Sequence, residues 1–179
     1  MNKAEREQLI FEPLAGYEPT IARWLWALED ARRRTKRALA ALDPATVDWA
    51  PSPDRTAIGG LLYHLAVIET DWLYSEILGT GFPPELEALF PYDVRDEGGR
   101  LTSVAGVTLD QHLQRLNAVR VIFLNSLRGM TLDEFRRPRT LRDYDVTPEW
   151  VLHHLMQHEA EHRAEIAALC AEADRNIAP

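Results

Sequence analysis

The chain has 179 residues, of which 46% are hydrophobic and 27% are charged, and its formal net charge at pH 7 is −8. This length suits one well-buried core and is short for two full domains, so we expect a single domain over residues 1–179. The acidic balance argues against a nucleic-acid surface, and no apolar run reaches the roughly 18 to 20 residues of a membrane span.

The first predicted helix covers residues 20–42, where apolar residues recur at helical spacing until Pro44 blocks continuation. The basic run 32–37 lies within this helix. Two acidic residues each precede an arginine of this run by four positions, a spacing that supports ion pairs along a helix. We therefore expect a solvated helix face, with the pairs Glu29–Arg33 and Asp30–Arg34.

A second helix is predicted over residues 57–78, with Thr56 as its N-cap. His64 lies on its apolar side. Gly59 and Gly60, near its start, each cost about 1 kcal/mol relative to alanine. Such a pair suggests that another backbone or a ligand comes close at this point.

The stretch 79–107 is rich in glycine and proline, and connections of this length usually cross over something or cover a site. A capping box from Thr108 to Gln111 opens a third helix, and His112 beside its inner face is expected to be partly exposed. No segment shows sustained two-residue alternation. The expected fold class is all-α: a four-helix bundle with long connections between helices 2 and 3 and between helices 3 and 4.

The last predicted helix, Thr147–Ala173, carries four of the six histidines, and two of them interrupt its apolar stripe. His158 and His162 are four residues apart, so their side chains lie about 6 Å apart on one face and can share a metal ion. His154 is eight residues from His162, about 12 Å along the axis, too far to join both. A third ligand must come from elsewhere, and His64 is the best candidate.

Two sequence stretches carry a family resemblance: Trp49 followed by TAIGGLLYHLAVIETDWL, and later VLHHLMQHEAEHRAEIAAL. Together they resemble the DinB/YfiT-like superfamily over roughly residues 21–173. Members are four-helix bundles in which one histidine of helix 2 and an HxxxH pair on the last helix hold a divalent metal. The resemblance implies the metal ligands His64, His158 and His162. The family motif commonly continues from the last histidine as Arg-Gly-Gln, whereas this chain reads Arg163-Ala164-Glu165.

The resemblance also implies a class of chemistry. Three histidine ligands leave a coordination position open to water or substrate, which is typical of catalytic sites. Characterised relatives include enzymes that join bacillithiol or mycothiol to electrophiles, or isomerise substrates with their help. The implied function is a metal-dependent, thiol-dependent S-transferase or isomerase acting on a small molecule. Its implied cofactors are a divalent ion such as zinc, nickel or iron and a low-molecular-weight thiol as cosubstrate.

Two other functions stay open. Residues 158–162 match HExxH, the zinc hydrolase motif in which Glu159 would be the general base. A metzincin needs glycine at 165 and histidine at 168, where this chain has Glu165 and Ala168. The alternative outside enzymes is a metal-binding or metal-free bundle that serves as a sensor or dimerisation module.

The remaining expectations concern location and partners. The N-terminal MNKAEREQLIF lacks the basic-then-apolar pattern of a signal peptide, and Cys170 is the only cysteine, so intramolecular disulfides are excluded. We expect a cytoplasmic protein with a small-molecule substrate and without a nucleic-acid or membrane partner. A homodimer stays open.

Overall fold

The computed structural model describes residues 9–177, and these are mostly helical, as predicted. Most of the N-terminal segment used above to exclude a signal peptide lies outside the described residues. Four long α-helices and one short one carry the fold, with two very short strands before the last helix. Their bounds are α1 Pro19–Leu39, α2 Ile58–Asp71, α3 Leu109–Ser126, α4 Leu132–Arg136, β1 Arg139–Thr140, β2 Asp145–Val146 and α5 Pro148–Ile177.

The helix starts follow local capping chemistry. At α3, the Thr108 side chain accepts a hydrogen bond from the Gln111 backbone and the Gln111 side chain returns one, which confirms the predicted capping box. At α5, the Trp150 N–H donates to Thr147 Oγ1 at 3.1 Å. The predicted cap of α2 is wrong: the helix begins one residue after Ala57, which offers no side-chain acceptor, and Thr56 lies outside it.

Two buried clusters hold the long helices together. Helix α1 packs on α5, and α2 packs on both α3 and α5. One cluster joins α1 and the start of α5 to the end of α3, and the other joins α2 to the middle of α3 and the later turns of α5. Between residues 9 and 177, no helix has the length and apolar character that crossing a membrane requires.

The helical path of α2 continues beyond Asp71 as a π-helical segment over Trp72–Leu78, which ends at Gly79 in the left-handed conformation. The predicted end of this helix at residue 78 is therefore confirmed, although the last two turns are wider than an α-helix. π-Helices are rare and frequently occur at functional sites.

The prediction that no strands occur needs correction. Strands β1 and β2 form an antiparallel ribbon, with Arg139 opposite Val146 and Thr140 opposite Asp145. Each strand has only two residues, too few for an alternating pattern to appear in the sequence.

The segment 79–107 crosses the first turn of α2. A Cβ atom added to Gly59 would lie 3.0 Å from the Val104 carbonyl oxygen and 3.4 Å from that of Val47. The close approach predicted from the paired glycines is thus an approach of backbone, which fixes the crossing segment against α2.

We expect Gly59→Ala to lower the free energy of unfolding by about 1–3 kcal/mol, because the added methyl group forces the Val104 backbone outward. Urea unfolding measures this loss. Gly81→Ala is the matched control, since no atom lies within 4 Å of a Cβ there. Equal stability of the two variants would contradict the assigned role of Gly59.

Candidate metal centre

Three histidine side chains meet between α2 and α5. His158 Nε2 lies 3.1 Å from His64 Nε2 and 3.0 Å from His162 Nε2. One potential ligand atom from each ring lies within 4.8 Å of the other two. His64 is buried, and the other two are partly buried. The structure therefore brings together the three histidines singled out by the sequence, while their binding of a metal stays a prediction.

The spacing of the ring nitrogens fits a shared ion. Two nitrogens that each lie about 2.0–2.1 Å from one ion are separated by roughly 2.8–3.4 Å when the angle at the ion is between 90° and 109°. The separations of 3.0 and 3.1 Å fall within that range. Three imidazoles form a donor set that suits zinc, nickel or iron, and they leave further coordination positions free.

Glu165 determines which nitrogen of His162 faces the centre. Its carboxylate oxygen Oε2 lies 3.1 Å from His162 Nδ1. An ionised carboxylate only accepts hydrogen bonds, so Nδ1 carries the proton and Nε2 presents its lone pair to the other two rings. Glu165, which stands where the family motif commonly has glutamine, thus orients the His162 side chain. By contrast, His64 Nδ1 is buried without a hydrogen-bond partner among residues 9–177.

The surroundings keep two of the imidazoles neutral. Burial lowers the pKa of His64 to about 4, and the nearby charges of His162 and Arg95 add to this effect. Burial likewise lowers the pKa of His158 to about 3, with further contributions from His162, His64 and His154. Neutral imidazole is the form that binds metals, so the lone pairs are available at pH 7.

These shifts predict that the metal-free protein loses stability in acid. The folded-state pKa values of about 4 and 3 lie below the value of about 6.5 for a histidine in the unfolded chain, so the unfolded state takes up protons first. Stability present above pH 6.5 should therefore fall progressively as the pH drops toward 4.

Urea unfolding of metal-free protein between pH 7.5 and 4.5 measures this loss. His64→Phe should flatten the pH dependence, whereas His153→Ala, at an exposed position, should not. A slope unchanged by His64→Phe would contradict the assignment.

Glu159, the candidate general base of the HExxH motif, faces away from the histidines. It is 2% exposed, accepts a hydrogen bond from Arg32 Nε at 2.8 Å, and lies 3.5 Å from a terminal nitrogen of Arg120. A general base must reach the proton that it abstracts. Because this carboxylate is bound by two guanidinium groups, the geometry does not support the zinc hydrolase alternative. Glu161, the other acid of the motif, is exposed.

A buried ion cluster joins the four long helices beside the histidines. Arg32 of α1 donates to Glu69 at 2.7 Å, and Arg120 donates to the two oxygens of Glu69 at 2.6 and 2.9 Å. Although burial raises the pKa of Glu69, Arg120 and Arg32 hold it below the usual value. The side chains of these three residues and of Glu159 are only 3–5% exposed. We call Arg32, Glu69, Arg120 and Glu159 the ion cluster.

The ion cluster corrects the prediction of a fully solvated basic face on the first helix. Arg32 is buried, and Glu29 pairs with Arg120 instead of Arg33, which pairs with Asp30. The predicted pair Asp30–Arg34 is confirmed, at 2.7 Å. A signal was present in the sequence, because Arg32 follows Leu28 by four residues and precedes Leu39 by seven, on the buried face of α1.

Two further histidines, His154 and His112, lie outside the group of three. His154 stacks on Trp150, with ring centroids 5.1 Å apart and planes 8° from parallel. His112 was expected to be partly exposed, and that is wrong: it is fully buried, and its Nδ1 lies 3.2 Å from Arg115 NH1. Arginine can only donate, so His112 Nε2 carries the proton. Burial lowers the pKa of His112 to about 4.

A protein-family model matches most of the chain. The family model of the DinB superfamily matches residues 27–166, a range that contains the three convergent histidines and the ion cluster. No curated protein matches the chain.

Proposed function

The chain belongs to the DinB superfamily, and we propose that it is a metal-dependent enzyme of this family, a thiol-dependent S-transferase or isomerase acting on a small molecule. In this proposal, α1, α2, α3 and α5 form the four-helix bundle of the family. His64, His158 and His162 hold a divalent ion, either zinc, nickel or iron, and a low-molecular-weight thiol is the cosubstrate.

The convergence of the three Nε2 atoms carries the proposal. No carboxylate stands among them, so the donor set is neutral and leaves a bound divalent ion with its full charge. When bound, such an ion favours thiolate over thiol and so raises the fraction of nucleophile at neutral pH. The protein's part is to hold the three imidazoles in place, through burial, which keeps His64 and His158 neutral, and through the Glu165 hydrogen bond, which orients His162.

Arg95 is the side chain that we propose for holding a carboxylate of the thiol cosubstrate. It lies in the crossing segment 79–107, and its charge acts on His64. One of its nitrogens donates to the Gly99 carbonyl, and the side chain is exposed. Arg136 at the end of α4 and Arg139 after it are less suitable, because Arg136 pairs with Glu149 and Arg139 donates to backbone carbonyls. A guanidinium group can bind a carboxylate through two hydrogen bonds.

The proposed activity is tested with zinc- or nickel-loaded protein, bacillithiol, mycothiol or glutathione, and a bimane or chloronitrobenzene electrophile. We expect a metal-dependent rate with at least one thiol. His162→Ala should abolish this rate, and His153→Ala, an exposed histidine on the same helix, should retain it. The absence of a metal-dependent rate with all three thiols would refute the transferase and favour a sensor or structural bundle.

A further inference from the structure

A second concave site lies where the end of the α2 path meets the start of α5. We call it the aromatic pocket. Its volume is about 640 Å³, and aromatic and aliphatic side chains dominate its wall. Trp150 and Tyr144 are each 48% exposed and line the same concavity, and contiguous exposed apolar side chains mark binding sites where isolated ones do not. The lining residues are Trp72, Pro138, Tyr144, Asp145, Val146, Thr147 and Trp150.

An acidic group supports one wall of the aromatic pocket. The Tyr144 hydroxyl donates to Glu76 Oε1 at 2.9 Å, and Glu76 is only 7% exposed. Its other oxygen, Oε2, is buried without a hydrogen-bond partner among residues 9–177. Burial raises the pKa of this carboxyl, and the further charge that acts on it is that of Asp71, which raises it too. This carboxyl group lies behind Tyr144 and outside the lining of the pocket, so its charge acts on a ligand through the Tyr144 hydroxyl and not by direct contact.

The charges around the aromatic pocket are unbalanced in favour of acid. Asp145 lines the pocket, and none of the described residues that line it is basic. Of the arginines close to Pro138 in the sequence, Arg136 pairs with Glu149 and Arg139 donates to the carbonyls of residues 134 and 137, whereas Arg137 is exposed and does not line the pocket. A ligand that enters this pocket therefore meets indole and phenol rings together with negative charge.

The backbone is specialised at the same place. Trp72 and Glu76 both belong to the π-helical segment, four residues apart and so about one turn from each other. One element thus supplies both an aromatic wall and the buried acid behind Tyr144. π-Helices are rare and are frequently found at functional sites, which favours a ligand site here.

We propose that the aromatic pocket binds an organic cation, namely an alkylated ammonium group held against Trp72, Trp150 and Tyr144 and balanced by Asp145 in the wall and by Glu76 behind Tyr144. Aromatic faces attract such cations through the ring quadrupole, and nearby carboxylates supply the counter-charge. The large apolar area suits methyl or other alkyl substituents on the nitrogen better than a bare, strongly hydrated ammonium ion.

The aromatic pocket lies close to the three histidines. Trp150 precedes His158 by eight residues, about 12 Å along α5, and the His154 ring lies between them, 5.1 Å from Trp150 and 5.9 Å from His158. The next step rests on the proposed function: the cation would be one end of a substrate, and the other end of that substrate would reach the histidines. Binding of the cation itself requires no metal, so it can be tested apart from activity.

The test compares choline with 3,3-dimethylbutan-1-ol, a neutral molecule of nearly the same shape, by calorimetric or NMR titration of metal-free protein. We expect saturable binding of choline, about tenfold tighter or more than that of the neutral alcohol. Trp150→Ala should abolish choline binding, and Glu76→Gln should reduce the preference for the cation while keeping an acceptor for Tyr144. Trp26→Ala, which removes an indole outside the pocket, is the control and should bind choline like the parent protein.

Three outcomes would overturn the proposal. They are no saturable choline binding, equal affinity for choline and the alcohol, and choline binding that Trp150→Ala leaves unchanged. Equal affinities would show a pocket that selects only for apolar shape. Because these titrations use neither metal nor thiol, they would leave the proposed transferase activity standing or falling on its own assay.

Discussion

Glu159→Ala should lower the free energy of unfolding by about 3–5 kcal/mol, the usual cost of removing one partner of a buried ion pair. The loss is large because Arg32 would keep a buried guanidinium whose Nε has lost its acceptor, while Glu69 alone would face both Arg32 and Arg120 within the ion cluster. A domain of this size is typically stable by only 5–15 kcal/mol, so the variant should be close to unfolding.

Urea unfolding of the variant and the parent protein measures this loss. Glu161→Ala is the matched control, two residues away on α5 and exposed, and we expect it to change stability by less than about 0.5 kcal/mol. If the two glutamate variants were equally stable, the ion cluster would not hold the helices together as described.

His158→Ala should weaken metal binding steeply. Its Nε2 lies within 3.1 Å of both other ring nitrogens, so its removal takes away the central one of the three proposed ligands. Loss of a hydrogen-bond partner behind a ligand typically costs 10–100-fold in affinity, and loss of a ligand should cost at least about a hundredfold.

Glu165→Ala supplies the graded comparison for His158→Ala. It removes the acceptor that orients His162 and leaves all three ligands in place, so we expect about a 10–100-fold loss. Titration with zinc in competition with a chromogenic chelator gives both affinities. A Glu165→Ala loss as large as that of His158→Ala would indicate that the carboxylate is itself a ligand.

The sequence predicted the parts of the site that depend on local periodicity. The four-residue spacing of His158 and His162, the apolar side on which His64 lies, and the capping residues Thr108 and Thr147 all follow from helix geometry. The paired glycines at the start of α2 correctly indicated a close backbone approach, and Gly59 meets the Val104 carbonyl.

The features that the sequence did not predict depend on contacts between distant segments. Arg32 looks like any other member of a basic run until Glu69 and Glu159 from other helices surround it. The burial of His112 likewise depends on another helix, because its Nε2 lies 3.1 Å from where a Cβ at Gly59 of α2 would be. The π-helical segment and the two-residue strands leave no periodic signal, because each is shorter than the windows in which periodicity can be recognised.

Elemental analysis of the protein purified without chelators and without a nickel affinity step, in parallel with His158→Ala, tests the metal centre most directly. We expect about one divalent metal ion per chain in the parent protein and almost none in the variant, with both proteins folded by circular dichroism. A folded parent protein that holds no metal and takes up none on addition of zinc, nickel or iron would contradict a metal centre at the three histidines, as would a variant that retains the full amount.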